Sequence, residues 1–207
     1  MNVLIVSKTK MTERVCVGGI NLETSKSVRL LTSYGKNQPA DTPLEIGQVW
    51  DIDYAIPREL FPPHMEDVLV NRCTLVDGTC RHIRGFIVKH MHPWEGSLVD
   101  TFDKKLNYTH GYKKGYIHQD SGIPSVSTGF WSPNSHLILK NMYDKNVFAY
   151  RDMSGVTYHI PYVGVEPPPE IIPVGSLVRL SLARWWKPEE KEEDKKCYLQ
   201  LSGWYQE

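Results

Sequence analysis

The densest chemistry in this chain lies close to its C-terminal end. Along Leu177–Trp186 the apolar Val178, Leu180 and Leu182 alternate with Arg179, Ser181, Ala183 and Trp185. Along Cys197–Tyr205, Cys197, Leu199 and Leu201 alternate in the same way with Tyr198, Gln200, Ser202 and Trp204. Alternation of this kind marks strands with one buried face. If the aliphatic sides build a core, Arg179, Trp185, Tyr198, Gln200 and Trp204 share the other side. Aromatic rings with Arg and Gln on an open β surface suit the stacking of bases, at about 1–3 kcal/mol per base. The competing assignment seals the same rings between two halves of the molecule, because Trp is usually well buried.

A second candidate runs from Lys104 to Tyr116. Lys104, Lys105, Lys113 and Lys114 are interleaved with Tyr108, Tyr112 and Tyr116, and no acid interrupts them. Lysines there can meet phosphates while tyrosines stack; a solvated surface loop is the alternative. Near the start of the chain, Lys8, Lys10 and Arg14 can extend a basic patch of this type. His64, Glu66 and Asp67 put an imidazole beside two carboxylates, a set that can serve acid–base chemistry or simply fix a turn. Cys16, Cys73, Cys80 and Cys197 are too sparse for a disulfide framework, and they form no CxxC pair for zinc even though His82, His90 and His92 follow. No phosphate-binding glycine loop, serine elbow or HExxH motif is present. Neither a metal nor a cofactor is therefore expected.

Composition bounds the elements that must carry these residues. The 207 residues include 14 Pro, 15 Gly, 11 Tyr and 6 Trp, a mixture that favours short strands and turns over a helical bundle. Basic and acidic residues number 24 each, so the formal net charge is zero and only a local patch can attract a polyanion. The first residues lack a signal-peptide pattern and no stretch has the length of a membrane span, so a cytoplasmic protein with no membrane partner is expected. Strand-like runs occupy the first 54 residues, with 21–26 as a hairpin loop. Ile83, Phe86 and Ile87 have the spacing of a helix face, which predicts a helix over 79–91 capped by Thr79; a hairpin across Asp77-Gly78 competes with it. Residues 93–134 are turn-rich and read as a long irregular connection. Five strand-like runs follow from Leu137, and the charged run 187–196 reads as a solvated hairpin loop. Each β-rich portion has the size of a small closed barrel. The expected fold is mainly β: a first OB-like barrel over 1–92 with one helix, a connection over 93–134, and a second OB-like barrel over 135–207. The helix matches the insertion that OB-folds carry between their third and fourth strands. Phe130-Trp131 is expected to anchor the two halves.

Several passages together resemble a prokaryotic family of dual OB-containing domain proteins. They are Ser7-Lys8-Thr9-Lys10-Met11, Arg14–Ile20, Ser27–Leu31, Pro62–Val68, Trp94-Glu95-Gly96, Gly129–Asn134, Leu177–Trp186 and Cys197–Tyr205. The resemblance implies two OB-like barrels, a setting near anti-phage or mobile-element genes, and a nucleic-acid or nucleotide ligand. The leading expectation is non-catalytic binding of single-stranded or structured nucleic acid, with a protein partner from the same system as a further expectation. A nucleotide-like small-molecule enzyme or sensor, with His64, Glu66, Asp67 and Arg184 walling a cleft between barrels, is the first alternative. A protein adaptor that exposes its tryptophans is the second.

Overall fold

The alternating runs at the start of the chain fold into a three-stranded antiparallel meander: β1 (Asn2–Lys10), β2 (Arg14–Asn21) and β3 (Lys26–Thr32). The Asn21 side chain begins the second turn by accepting from the backbone N–H groups of Glu23 (2.9 Å) and Thr24 (3.3 Å), as Asn side chains do in tight turns. The structure is a computed structural model that describes residues 1–79, 82–188 and 194–206. The chain divides into two units, Met1–His92 and Pro93–Gln206.

In the first unit the short β4 (Gln38–Pro39) precedes β5 (Gln48–Ala55) and β6 (Asp67–Thr79). Strand β5 pairs with β1, and β6 pairs antiparallel with β5 and parallel with β3, so the order β1-β2-β3-β6-β5 closes on itself. This is the five-stranded Greek-key barrel of an OB-fold. Val3, Ile5, Val17, Ile20, Leu30 and Ile52 fill it. Gly19 allows β1 and β2 to close, because a Cβ there would run into the Val3 side chain.

The helix differs from expectation in start and position. It is α1 (Ile83–His90), preceded by His82 without a side-chain cap. Thr79 ends β6 opposite Gln48, and Asp77 lies opposite Val49. The ladder pairs Asp77 and Thr79 across a register shift, so the strand continues through Asp77-Gly78 without a turn there, and the helix starts only at Ile83. The helix follows the fifth barrel strand, whereas the span between the third and fourth, 33–47, is loop and β4.

The second unit begins with β7 (Trp94–Gly96), β8 (Asn107–Tyr108), β9 (Gly115–His118) and β10 (Thr128–Pro133). A meander follows: β11 (Leu137–Met142), β12 (Lys145–Arg151) and β13 (Thr157–Pro161). After β14 (Ile171–Ile172) come β15 (Leu177–Leu182) and β16 (Lys196–Tyr205). One sheet has the order β7-β10-β15-β16-β9-β8 and the other β13-β12-β11-β14. Tyr162, just past β13, bridges Leu201 in parallel, and the Val163 N–H donates to the Leu201 carbonyl at 3.0 Å. The third meander strand thus meets the last strand, as β3 meets β6 in the first unit. The region 93–134, expected to be an irregular connection, instead contributes β7 to β10 to this unit's sheet. Its strands are two to six residues long, too short to show a period among so many turn residues.

Trp131, expected between the halves, is fully buried inside the second unit. It meets the Tyr150 ring edge-on at 5.0 Å and donates to the Gly96 carbonyl at 3.1 Å. Phe102, Asp103 and Lys104 all have positive φ, at 49°, 57° and 61°. Asp103 Oδ2 accepts from the Ser125 N–H at 2.7 Å and holds that turn in place. No helix among the described residues is long and apolar enough to cross a membrane.

Candidate nucleic-acid interface

Strand pairing decides which side chains share the outer face of the second unit's larger sheet. Tyr198 lies opposite Tyr116, Lys196 opposite His118, and Gln200 opposite Ser181. Cys197 and Leu199 between them are buried in the core. Trp186 bridges Lys196 through two backbone hydrogen bonds of 3.0 and 2.9 Å, which closes the β15–β16 hairpin before the charged run. Residues 189–193 of that run lie outside the described residues. A line of rings results. Tyr116 and Tyr198 have centroids 6.0 Å apart, Tyr198 and Trp186 6.2 Å, and the Lys196 ammonium lies 5.3 Å from the Tyr116 centroid. Trp186 is 55% exposed. Such a row offers π-faces to bases beside a cation for phosphate.

The face is not the one that simple alternation predicts. The register of β15 against β16 shifts between Arg179 and Leu180, leaving Ser202 as an extra residue. A bulge of one residue reverses which side every later residue faces. Trp204 therefore pairs opposite Val178 and packs on the unit's own core, away from Tyr198. Its indole N–H faces the Tyr162 hydroxyl, which donates to the Glu166 carbonyl at 2.8 Å. Arg179 is buried rather than presented, and its Nη1 donates to Ser202 Oγ at 2.9 Å. Trp185 is half-buried and packs against the same core. Of the five residues expected to share one surface, only Tyr198 and Gln200 do. Arg184, next to Trp185 in sequence, is exposed.

The Lys104–Tyr116 run is divided. Lys104 is exposed near Asp100 (3.4 Å), Lys105 donates to the Ile123 carbonyl at 2.7 Å, and Lys113 is exposed at the β8–β9 turn with Lys114 half-buried beside it. Tyr108 faces inward and packs on Tyr158 at 4.7 Å; burial pushes its hydroxyl well above the usual tyrosine range. Tyr112 is exposed and lies against Tyr143 and His159.

The first unit uses its charges differently. Lys8 is buried and reaches Glu45 at 2.8 Å, so it offers little to a ligand. Lys10 is exposed, and Arg14 donates to the Asn37 carbonyl at 2.9 Å. Arg29 grips Asp67 with both arms of its guanidinium, at 2.7 and 2.8 Å, where β3 and β6 run parallel. Burial raises the Asp67 carboxyl from its ordinary value while Arg29 pulls it down. His64 is 2% exposed, with its Nδ1 3.9 Å from Glu66 Oε1, outside hydrogen-bonding reach. The set resembles a fold-holding clamp more than an acid–base pair, since both Asp67 oxygens are already engaged.

His118, Asp120 and Asp194 form the described group with metal-ligating atoms, all within 4.8 Å of one another. The Asp120 backbone N–H donates to His118 Nδ1 at 3.3 Å, and Nε2 faces Asp194 Oδ2 at 3.3 Å. Nδ1 thus accepts from a backbone amide while Nε2 serves the Asp194 carboxylate, an arrangement that hydrogen bonding explains without an ion.

Sequence reasoning missed Trp186, Lys196 and His118 as members of the face. His118 lies on β9, which comes from the passage read as connection, and Lys196 looks like the end of a charged run. Continuing the alternation backwards from Tyr198 would have found Lys196.

Two OB-type β units, the second carrying this aromatic face, define the class of protein. The match to known families makes that specific: residues 1–204 fit the family model described as the Dual OB-containing domain, and the chain belongs to that family. No curated protein and no solved structure matches it.

Proposed function

We propose that the protein binds nucleic acid, single-stranded or structured, on the outer face of the second unit, and that it works as a binding protein without chemistry of its own. The observation that carries this reading is the Tyr116–Tyr198–Trp186 line with Lys196 beside it. OB-folds frequently use a β face of this kind for oligonucleotides. A role in anti-phage defence or mobile-element biology, in the cytoplasm of a prokaryote, belongs to the same proposal and rests on the family resemblance. The test is a fluorescence titration with a labelled single strand of about 20 nucleotides, comfortably above one OB-fold site, at two salt concentrations. Binding that weakens as salt rises, and falls further in Tyr198→Ala, supports the reading. Salt-independent binding, or none, refutes it.

A further inference from the structure

We propose that Tyr112 and Tyr143 form a second stacking position on the outer wall of the second unit. It takes an unpaired base of the same strand that lies on the Tyr116–Tyr198–Trp186 face, which makes the ligand a single strand rather than a duplex. This rests on the reading above and extends it to the other end of β9.

Three elements build the position. Tyr112 comes from the β8–β9 turn, Tyr143 from the β11–β12 turn, and His159 from β13. The Tyr112 and Tyr143 rings stand at 85° with centroids 6.2 Å apart, and their hydroxyls are 3.2 Å apart, within hydrogen-bonding distance. His159 Nδ1 lies 2.7 Å from the Tyr112 carbonyl, and its backbone N–H reaches the Lys113 carbonyl at 3.4 Å, so β13 braces the turn that carries Tyr112. Tyr143 and Asp144 both sit at positive φ, 52° and 58°. A bulky side chain is disfavoured there, yet this turn holds a ring that is 76% exposed. Burial therefore does not explain the tyrosine, whose only ring contact among the described residues is the edge-on one with Tyr112, so that a face is left open to a base.

Placement favours a nucleic-acid strand as the occupant. Tyr112 is four residues from Tyr116, so their Cα atoms are about 14 Å apart at most. A few nucleotides span that distance. Lys113 and Lys114 lie between the sets in sequence, and Lys196 stands at the far one. Acids mark the edges: Asp144 beside Tyr143, and Asp120 and Asp194 around His118. In a duplex the bases are stacked inside and cannot reach rings on a protein wall, whereas unpaired bases can be splayed onto them.

The experiment is fluorescence anisotropy on the whole chain with labelled polyuridine and poly-dT of about 12 nucleotides, within the range of one OB-fold site, and with a matching duplex. We expect Tyr112→Ala and Tyr143→Ala each to weaken single-strand binding about tenfold. Tyr143→Phe, which keeps the ring, should bind like the parent. Both turns are exposed, and a thermal melt confirms that the variants fold. If both alanine variants bind within about twofold of the parent while Tyr198→Ala is weakened, the second position is wrong and the first stands. A duplex that binds as tightly as the single strands overturns the single-strand assignment. No binding of any probe overturns both readings.

Discussion

The two units share a barrel plan and spend their polar groups in opposite ways. In the first, Arg29 and Asp67 face each other across parallel strands, and Lys8 folds back onto Glu45. Those charges satisfy one another inside the fold. In the second, rings and a lysine stand on the outside of a sheet whose inner face is fully packed by Ile117, Cys197 and Leu199. A charge already gripped by its partner has no capacity left for a ligand, whereas an exposed ring retains its whole π-face. The second unit is therefore where recognition is to be sought, even though the first holds the more conspicuous cluster of titratable residues.

The contrast can be broken most sharply at Arg29. Arg29→Ala leaves the Asp67 carboxylate buried without its partner, and a loss of about 3–5 kcal/mol in denaturant-unfolding stability is expected. Replacing both, as Arg29→Met with Asp67→Leu, should recover most of that loss, because the pair's cost of desolvation disappears along with its attraction. Trp186→Ala should do the reverse: binding of a single strand weakens by about 1–3 kcal/mol, with stability unchanged within about 0.5 kcal/mol. A third contrast lies within the second unit's sheet. Burial pushes the Cys197 thiol up to about 12, so it carries essentially no thiolate at mildly alkaline pH. Mass spectrometry after iodoacetamide treatment should find Cys197 unmodified in the native protein and labelled once it is unfolded. The smallest effect is expected at Lys104, whose φ of 61° a glycine adopts without strain. Lys104→Gly should raise the stability of the second unit by about 0.5 kcal/mol, the relief of strain being partly offset by the freer unfolded chain.

The barrels were legible because their strands alternate cleanly and are bounded by turn residues. Val17 and Leu30, or Leu199 and Leu201, announce a buried side without help from tertiary structure. The helix was legible from Ile83, Phe86 and Ile87, but its start was not, because the pairing of Thr79 with Gln48 depends on a partner about thirty residues away. Strands β7 to β10 are too short to carry a period, so their membership of the sheet follows from the strands they meet. The candidate face was half legible. Tyr198 and Gln200 were found by alternation alone, whereas Trp204 was misplaced because the bulge at Ser202 has no signature in residue type. Lys196 follows from the alternation carried back from Tyr198, whereas Trp186 joins the face through a backbone bridge that no spacing rule predicts.

The same bridge has a consequence for how this protein can be altered. Because Trp186 and Lys196 bond each other through both backbone groups, the chain is tied at these two points whatever the length of the span between them. The cost of closing a longer loop then grows only logarithmically, about 0.6 kcal/mol for each doubling of its length. That makes the span between them a natural attachment point: a reporter peptide or a small inserted domain can be accepted there beside the aromatic face while the barrel stays intact.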